Sequence, residues 1–292
     1  MTPGRASRRA SSRTRRPVSA ASGERQRSGG PERSGVERSG AERAQLELAH
    51  ETASLVCGRN PVRELLRAGR RRPLEVLATP RRAEEEWLDL VRDRLRVVER
   101  SLLDELTEIE HQGIVAFAEP YPYVDSEELL AAEDALVIAL DQVQDPRNLG
   151  AVCRVADAVG ASGVVICKRR AAAVTSVVCR ASAGAVEHVR VARVGSLPQW
   201  LEWARAAGAW SYLADATGEP WHRFDYRGRA VLVFGSEGAG SRKTVRRAVD
   251  ATVALEQAGA VSSLNVATAC AALAYGVRWQ RCGLIGQRRE RS

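Results

Sequence analysis

Short apolar runs at residues 135–140, 163–167, 189–191, 211–214, 230–234 and 252–255 alternate with stretches of helical character, and an Ala-rich helix from about Leu264 to Arg281 closes the pattern. Apolar runs without polar alternation suit strands buried on both faces. Strands of that kind spaced by helices predict a mostly parallel sheet covered on both sides, an α/β fold. Such sheets bind ligands beyond the carboxyl ends of their strands. The polar residues that directly follow the apolar runs are therefore the candidate site.

Three segments meet that condition: Asn148-Leu-Gly-Ala-Val-Cys-Arg154, Gly235-Ser-Glu-Gly-Ala-Gly240 and Gly259-Ala-Val-Ser-Ser-Leu-Asn-Val266. The loop Asp141 to Asn148 leaves the first strand and feeds a helix expected to start near residue 148. Asn148 can cap it, and Arg154 follows about two turns later, so that the pair can face one cleft. Taken singly, Asp145-Pro146 reads as a turn, Asn148 as a cap and Arg154 as a surface charge. The second segment follows the strand at 230–234, and its three glycines let backbone approach a ligand closely. It matches neither the dinucleotide fingerprint nor a Walker loop. Glu237 at its tip reads equally as a solvated turn residue. The third puts Ser262, Ser263 and Asn265 at the mouth of an apolar helix. No nucleophile elbow or His partner supports a serine nucleophile, so Ser262 is expected to cap the helix while Asn265 and the backbone line a pocket.

Residues 44–118 read as a separate small α/β domain. It has a helix at Pro61 to Ala68, a strand at Leu74 to Ala78, a helix at Arg81 to Arg94, a strand at Leu95 to Val98, a short helix from Leu102 and a strand at Ile114 to Ala118. Two prolines and no periodicity make 119–134 a linker. Residues 1–43 carry a net charge of +7 and few large apolar side chains, which predicts a disordered tail with structure starting between 44 and 55. The short tail at 282–292 is also basic. Residues 278–292 carry +4, leaving −3 of the total +8 for 44–277. Basic tails on a nearly neutral body suit RNA or DNA, or are merely solvated.

The six cysteines form no Cys-x-x-Cys pair and lie mostly in apolar runs, as buried free thiols would, and the four histidines are scattered, so no protein-bound metal is expected. The start has no apolar secretory core; its Arg- and Ser-rich composition leaves organelle import as a minor alternative to the cytoplasm. The uncharged stretch 257–277 is too polar, through Gln257, Ser262, Ser263, Asn265 and Thr268, for a membrane span.

Together, Asn148-x-Gly150-x-x-x-Arg154, Gly235-x-Glu237-x-x-Gly240 and the Ser-Leu-Asn-Val core of Gly259 to Val266 resemble the three motifs of the SpoU/TrmH family of RNA ribose 2′-O-methyltransferases, within the SPOUT superfamily, over residues 135–281. Cys57-Gly-Arg-Asn-Pro-Val-Arg-Glu-Leu-Leu66 and His111-Gln-Gly-Ile114 resemble the L30e-like RNA-binding domain of its bacterial 23S rRNA guanosine branch. The resemblance implies a C-terminal trefoil knot that forms a pocket for S-adenosyl-L-methionine. It assigns cofactor contacts to Gly235, Leu255, Gly259, Ser263 and Leu264, and catalysis to Asn148, Arg154, Glu237 and Asn265. It also implies a homodimer through the C-terminal domain. A guanidinium with a pKa above about 12 is a poor base. Arg154 is therefore expected to hold a phosphate or stabilise developing alkoxide, with the other three orienting it and the ribose. Glu256-Gln257 stands where the family usually has Pro and a hydrophobic residue, which bears on cofactor affinity. A tRNA or resistance-type rRNA substrate, or a non-catalytic ribosome-assembly role, are the alternatives.

Overall fold

The computed structural model describes residues 32–236, 240–260 and 263–283. The first domain holds α1 (Glu32–Ala49), β1 (Ser54–Cys57), α2 (Arg59–Ala68), β2 (Pro73–Ala78), α3 (Pro80–Ala83), β3 (Leu95–Val97), α4 (Arg100–Leu106) and β4 (Ile114–Ala118). Its sheet runs β1-β4-β2-β3, with β4 antiparallel to both neighbours and β2 parallel to β3.

Three expectations for this half differ from the structure. The chain is helical from Glu32, ahead of the expected start near residue 44. Leu46 of α1 is buried in the cluster that holds Leu102 and Leu103 of α4, and Arg96 pairs with Glu42, so tertiary contacts supply what composition lacks. The expected helix Arg81 to Arg94 is instead the short α3 and a 3₁₀ stretch, Glu86–Arg94, interrupted at Val91. The break follows Glu85, whose carboxylate accepts from Arg59, Arg82 and Trp87 at 2.5–3.0 Å. Nor is 119–134 a free spacer: Tyr121, Leu129 and Leu130 are buried.

The second domain alternates β5 (Leu136–Asp141), α5 (Pro146–Val159), β6 (Gly163–Cys167), α6 (Ser176–Ala181), β7 (Val191–Val194), α7 (Leu197–Ala206), β8 (Trp210–Pro220), β9 (Ala230–Gly235), α8 (Lys243–Ala248), β10 (Ala251–Ala254) and α9 (Val266–Arg281). All its strands are parallel, in the order β10-β8-β9-β5-β6-β7. The pleat sends alternate residues of β5 to opposite cores. Leu136, Ile138 and Leu140 pack with Leu149 and Val152 of α5 and Cys270 and Leu273 of α9; Val137 and Ala139 pack with Leu197 and Leu201 of α7 and Val245 of α8. The strand expected at 189–191 begins only at Val191, because the Val189 carbonyl accepts from Arg70 and from the Tyr121 hydroxyl at 2.5 Å each.

That contact is part of a continuous seam between the domains. The α5-side core runs on into Val56, Val76 and Ala116 of the first domain. At its centre the Arg71 guanidinium donates to the Glu187 carboxylate at 2.5 and 2.9 Å, and both side chains are at most 2% exposed. Burial alone would lower the Arg71 pKa, but the hydrogen bonds and charge of Glu187 hold it above its ordinary value. Among the described residues no helix is long and apolar enough to cross a membrane.

Candidate active site

The carboxyl ends of β8, β9 and β10 open into a cavity of about 640 Å³. The second and third polar segments meet there: Gly235, Ser263, Leu264 and Asn265 line it together with Leu255 and Gln257. Gly235 is irreplaceable on steric grounds, since a Cβ at this position would lie 2.4 Å from the Ser241 nitrogen. A buried carboxylate holds Arg242, just past the glycine segment. Asp141, 1% exposed and paired in register with Gly235, accepts from the Arg242 backbone at 2.9 Å, from its Nε at 2.8 Å and from its Nη2 at 2.6 Å. Those bonds raise the Arg242 pKa above its usual value.

Asn265 joins the first segment to the third. Its Oδ1 accepts from Ala267 and Thr268, and its Nδ2 donates to Asn148 Oδ1 at 3.0 Å. Asn265 is thus the cap of α9, where Ser262 was expected; Ser262 itself lies outside the described residues. Asn148 does not cap α5 either. Pro146 fixes the first helical position, so Asp145 takes the cap and accepts from the Arg147 backbone at 2.7 Å. The helix therefore starts before residue 148, which leaves the Asn148 side chain available to Asn265. Gly150 has a packing reason: a Cβ there would lie 2.5 Å from that of Ala181, so α5 and α6 touch through backbone.

Arg154 is exposed on α5, has no ion pair or hydrogen bond among the described residues, and does not line the cavity. Gly259 also stands outside the lining, and a Cβ on it would meet nothing. Glu237 lies outside the described residues. Of the Glu256-Gln257 pair, Glu256 turns out to His222, 3.8 Å away, and only Gln257 reaches the cavity. Among the described residues no His, Cys, Asp and Glu group is arranged to hold a metal. Five cysteines are buried and all six are free. Burial pushes the Cys153 and Cys179 thiols up to about 12, which makes them inert at neutral pH.

Sequence reasoning missed two features. Asp141 ends a wholly buried strand, and a carboxylate there must be paired; that signal was legible, though its partner was not. The other is the excursion of β8. Its pairing with β10 jumps from Leu213 to Glu219, so residues between leave the ladder, and Ala214, Asp215 and Ala216 turn into the cavity wall. The Arg246 hydrogen bond, 2.5 Å long, is the main cause that holds the Asp215 carboxyl at about 2, against its burial and with help from Thr217. Because the folded pKa is the lower one, the stabilisation is complete above about pH 4 and is lost as the pH falls toward 2. Arg246→Ala is expected to cost about 1–2 kcal/mol at pH 7, discounted for the partial exposure of the pair. Urea melts should show that difference vanish by about pH 2; a difference independent of pH would detach it from Asp215.

The sequence profile of the SpoU rRNA Methylase family matches residues 135–275, and that of RNA 2′-O ribose methyltransferase substrate binding matches residues 55–124. YacO of Bacillus subtilis, named for the TrmH family of tRNA/rRNA methyltransferases, is 37% identical over 237 residues, 77% of this chain and 95% of that protein. An uncharacterised tRNA/rRNA methyltransferase of Mycolicibacterium smegmatis is 39% identical over 246 residues, 80% of this chain and 78% of that protein. The crystal structure of the SpoU methyltransferase AviRb from Streptomyces viridochromogenes, in complex with the cofactor AdoMet, superposes with a TM-score of 0.71 at 28% identity, over 84% of this chain and 98% of that one. With a parallel α/β sheet, an edge cavity lined by two of the three polar segments and a relative 37% identical over 95% of that relative's length, this chain belongs to the SpoU/TrmH family of RNA methyltransferases.

Proposed function

We propose that the protein transfers a methyl group from S-adenosylmethionine to a ribose 2′-hydroxyl of RNA, with a guanosine of 23S rRNA as substrate. The observation that carries this reading is the convergence of the three polar segments. Two line one cavity and the third is tied to its rim by the Asn148–Asn265 hydrogen bond.

The residues present fit the cofactor. The cavity volume lies within the range of small-molecule sites, about 300–1,000 Å³. Leu255 and Leu264 offer apolar surface, and the buried Ser241 hydroxyl on the cavity wall has no hydrogen-bond partner among the described residues, a group that a polar ligand satisfies. Bound there, S-adenosylmethionine supplies an electrophilic methyl on a sulfonium centre. The backbone at Gly235, Leu255 and Leu264 would hold its adenine and ribose, with Ser263 and Gly259 on the connecting loop.

What the protein's own groups contribute is positioning. Asn265 is fixed by the α9 amides it caps, and it fixes Asn148 in turn, so both amides meet the RNA pre-oriented. Arg154 would hold the adjacent phosphate or the developing alkoxide, and Glu237 would orient it. The return of the chain from the edge strand β10 to α9, which packs on α5 beyond β8 and β9, supports the threaded knot of the family. Exposed Trp279 beside Tyr275 on α9 supports a homodimer through this domain. A cytoplasmic setting follows from an RNA substrate of this kind.

The test is to incubate the full chain with methyl-labelled S-adenosylmethionine and separate 23S, 16S and tRNA transcripts, then map product by resistance to alkaline cleavage. Label at one alkali-resistant linkage in 23S rRNA is expected. Label in tRNA or 16S would move the substrate, and no label despite cofactor and RNA binding would replace catalysis with an assembly role.

A further inference from the structure

The carboxyl edge of the second sheet is divided in two. The cavity occupies the β8-β9-β10 half, and a run of cations occupies the other. Lys168, Arg169 and Arg170 follow β6 directly, and Arg147 opens α5 just after β5, the strand beside β6. All four are exposed, and none makes an ion pair among the described residues. Other arginines of the domain are engaged by carboxylates: Arg246 by Asp215, Arg205 by Asp250 and Arg227 by Asp225. The carboxylates nearest along the chain are already occupied, Asp141 by Arg242 and Asp145 by the amide it caps.

The cations sit on a built scaffold. The Ala172 amide donates to the Val143 carbonyl at 2.9 Å, which bonds the loop after β6 to the loop after β5. The Lys168 carbonyl accepts from Arg193 at 3.4 Å, and the Arg193 guanidinium lies 5.1 Å over the Tyr123 ring. Each loop also carries a non-glycine residue in the left-handed region, Gln142 at φ 58° and Arg170 at φ 54°. Backbone of that kind persists only where surrounding structure over-determines it.

We propose that Arg147, Lys168, Arg169 and Arg170 form a phosphate-binding rim for the substrate RNA, which rests on the RNA methyltransferase reading above. The acceptor ribose must face the cavity, and the strand order sets β5 and β6 directly beside the cavity half. An RNA strand tracked across this rim passes its ribose over the boundary where Asn148 meets Asn265. Uncompensated cations fixed along such a path release counterions when phosphates dock, and the number released is read from the salt dependence of binding.

The experiment is filter binding of a 23S rRNA transcript to the full-length protein between about 50 and 200 mM salt. The test variant is Lys168→Ala/Arg169→Ala/Arg170→Asn; asparagine is chosen because position 170 requires a positive φ. Arg190→Ala removes an exposed cation at the amino edge of the sheet, one that makes no ion pair among the described residues and donates to the Ser162 carbonyl at 3.2 Å, and serves as the control. The slope of log K against log salt is expected to fall by roughly 2 in the triple variant, about 0.7 per phosphate lost, and to stay unchanged in the control. S-adenosylmethionine affinity, measured by calorimetry, should stay unchanged in both and so verifies folding. A triple variant with the wild-type slope overturns the rim, as does a control that loses as much per charge. The readout does not depend on turnover. If the wild-type chain bound RNA with this slope yet transferred no methyl, the catalytic reading would fail and the rim would stand.

Discussion

Arg154→Ala is expected to slow methyl transfer to RNA by about 10²–10³ in single-turnover assays, the range found when one preorganised hydrogen-bond donor to a developing oxyanion is removed. Cofactor affinity should stay within about twofold, because Arg154 does not line the cavity. Among the described residues most surface arginines are engaged with a carboxylate or a carbonyl; Arg154 is exposed on the helix that also bears Asn148, and no hydrogen bond or ion pair occupies it there. Such a residue costs little to remove from the fold, and a large kinetic effect would therefore report on the reaction. Arg154→Lys should recover only a small part of the rate, since a point charge does not replace the planar fork that grips phosphate. A rate for Arg154→Ala within a few-fold of wild type would reduce Arg154 to a surface charge.

The second large effect concerns stability. Arg71→Met is expected to cost about 3–5 kcal/mol, because it leaves the Glu187 carboxylate buried without its counter-charge. The double variant Arg71→Met/Glu187→Leu should recover most of that loss, since an apolar pair of similar volume is tolerated where a lone charge is not. Recovery will be incomplete, as the Glu119 carbonyl also loses the Arg71 bond at 3.1 Å. Urea melts of the two variants read this directly; equal losses would mean that the charge is not what matters. The pair also has a mechanical consequence. Glu187 lies just after α6, and α6 meets α5 through Gly150, two residues from Asn148. The first domain is thus braced, through a buried salt bridge and one backbone contact, against the helix that carries Asn148 and Arg154.

The limits of sequence reading follow from the same residues. Alternation of apolar runs places most strands of both sheets within a residue or two, because burial leaves its mark in a run of consecutive side chains; β1 has no counterpart among the expected strands, and β7 and β8 depart further from their expected bounds. The motif segments likewise bring Gly235, Ser263, Leu264 and Asn265 to one edge, where Leu255, assigned through the resemblance, also lies. Where long-range partners act, local rules lose. Composition hides α1, whose Leu46 is held by α4, and Ser262 is the better-looking cap only until Asn148 is seen to engage Asn265. By itself, then, the sequence determined the parallel α/β class, the edge that carries the site and the family, since each depends on residues near one another in the chain. The tertiary structure alone decided that Asp141 holds Arg242, that Asp215 is swung into the cavity by the shifted register of β8, and that Arg71 finds Glu187. The partners in those contacts lie far apart in sequence, and only the packing of whole elements brings them within a hydrogen bond of one another.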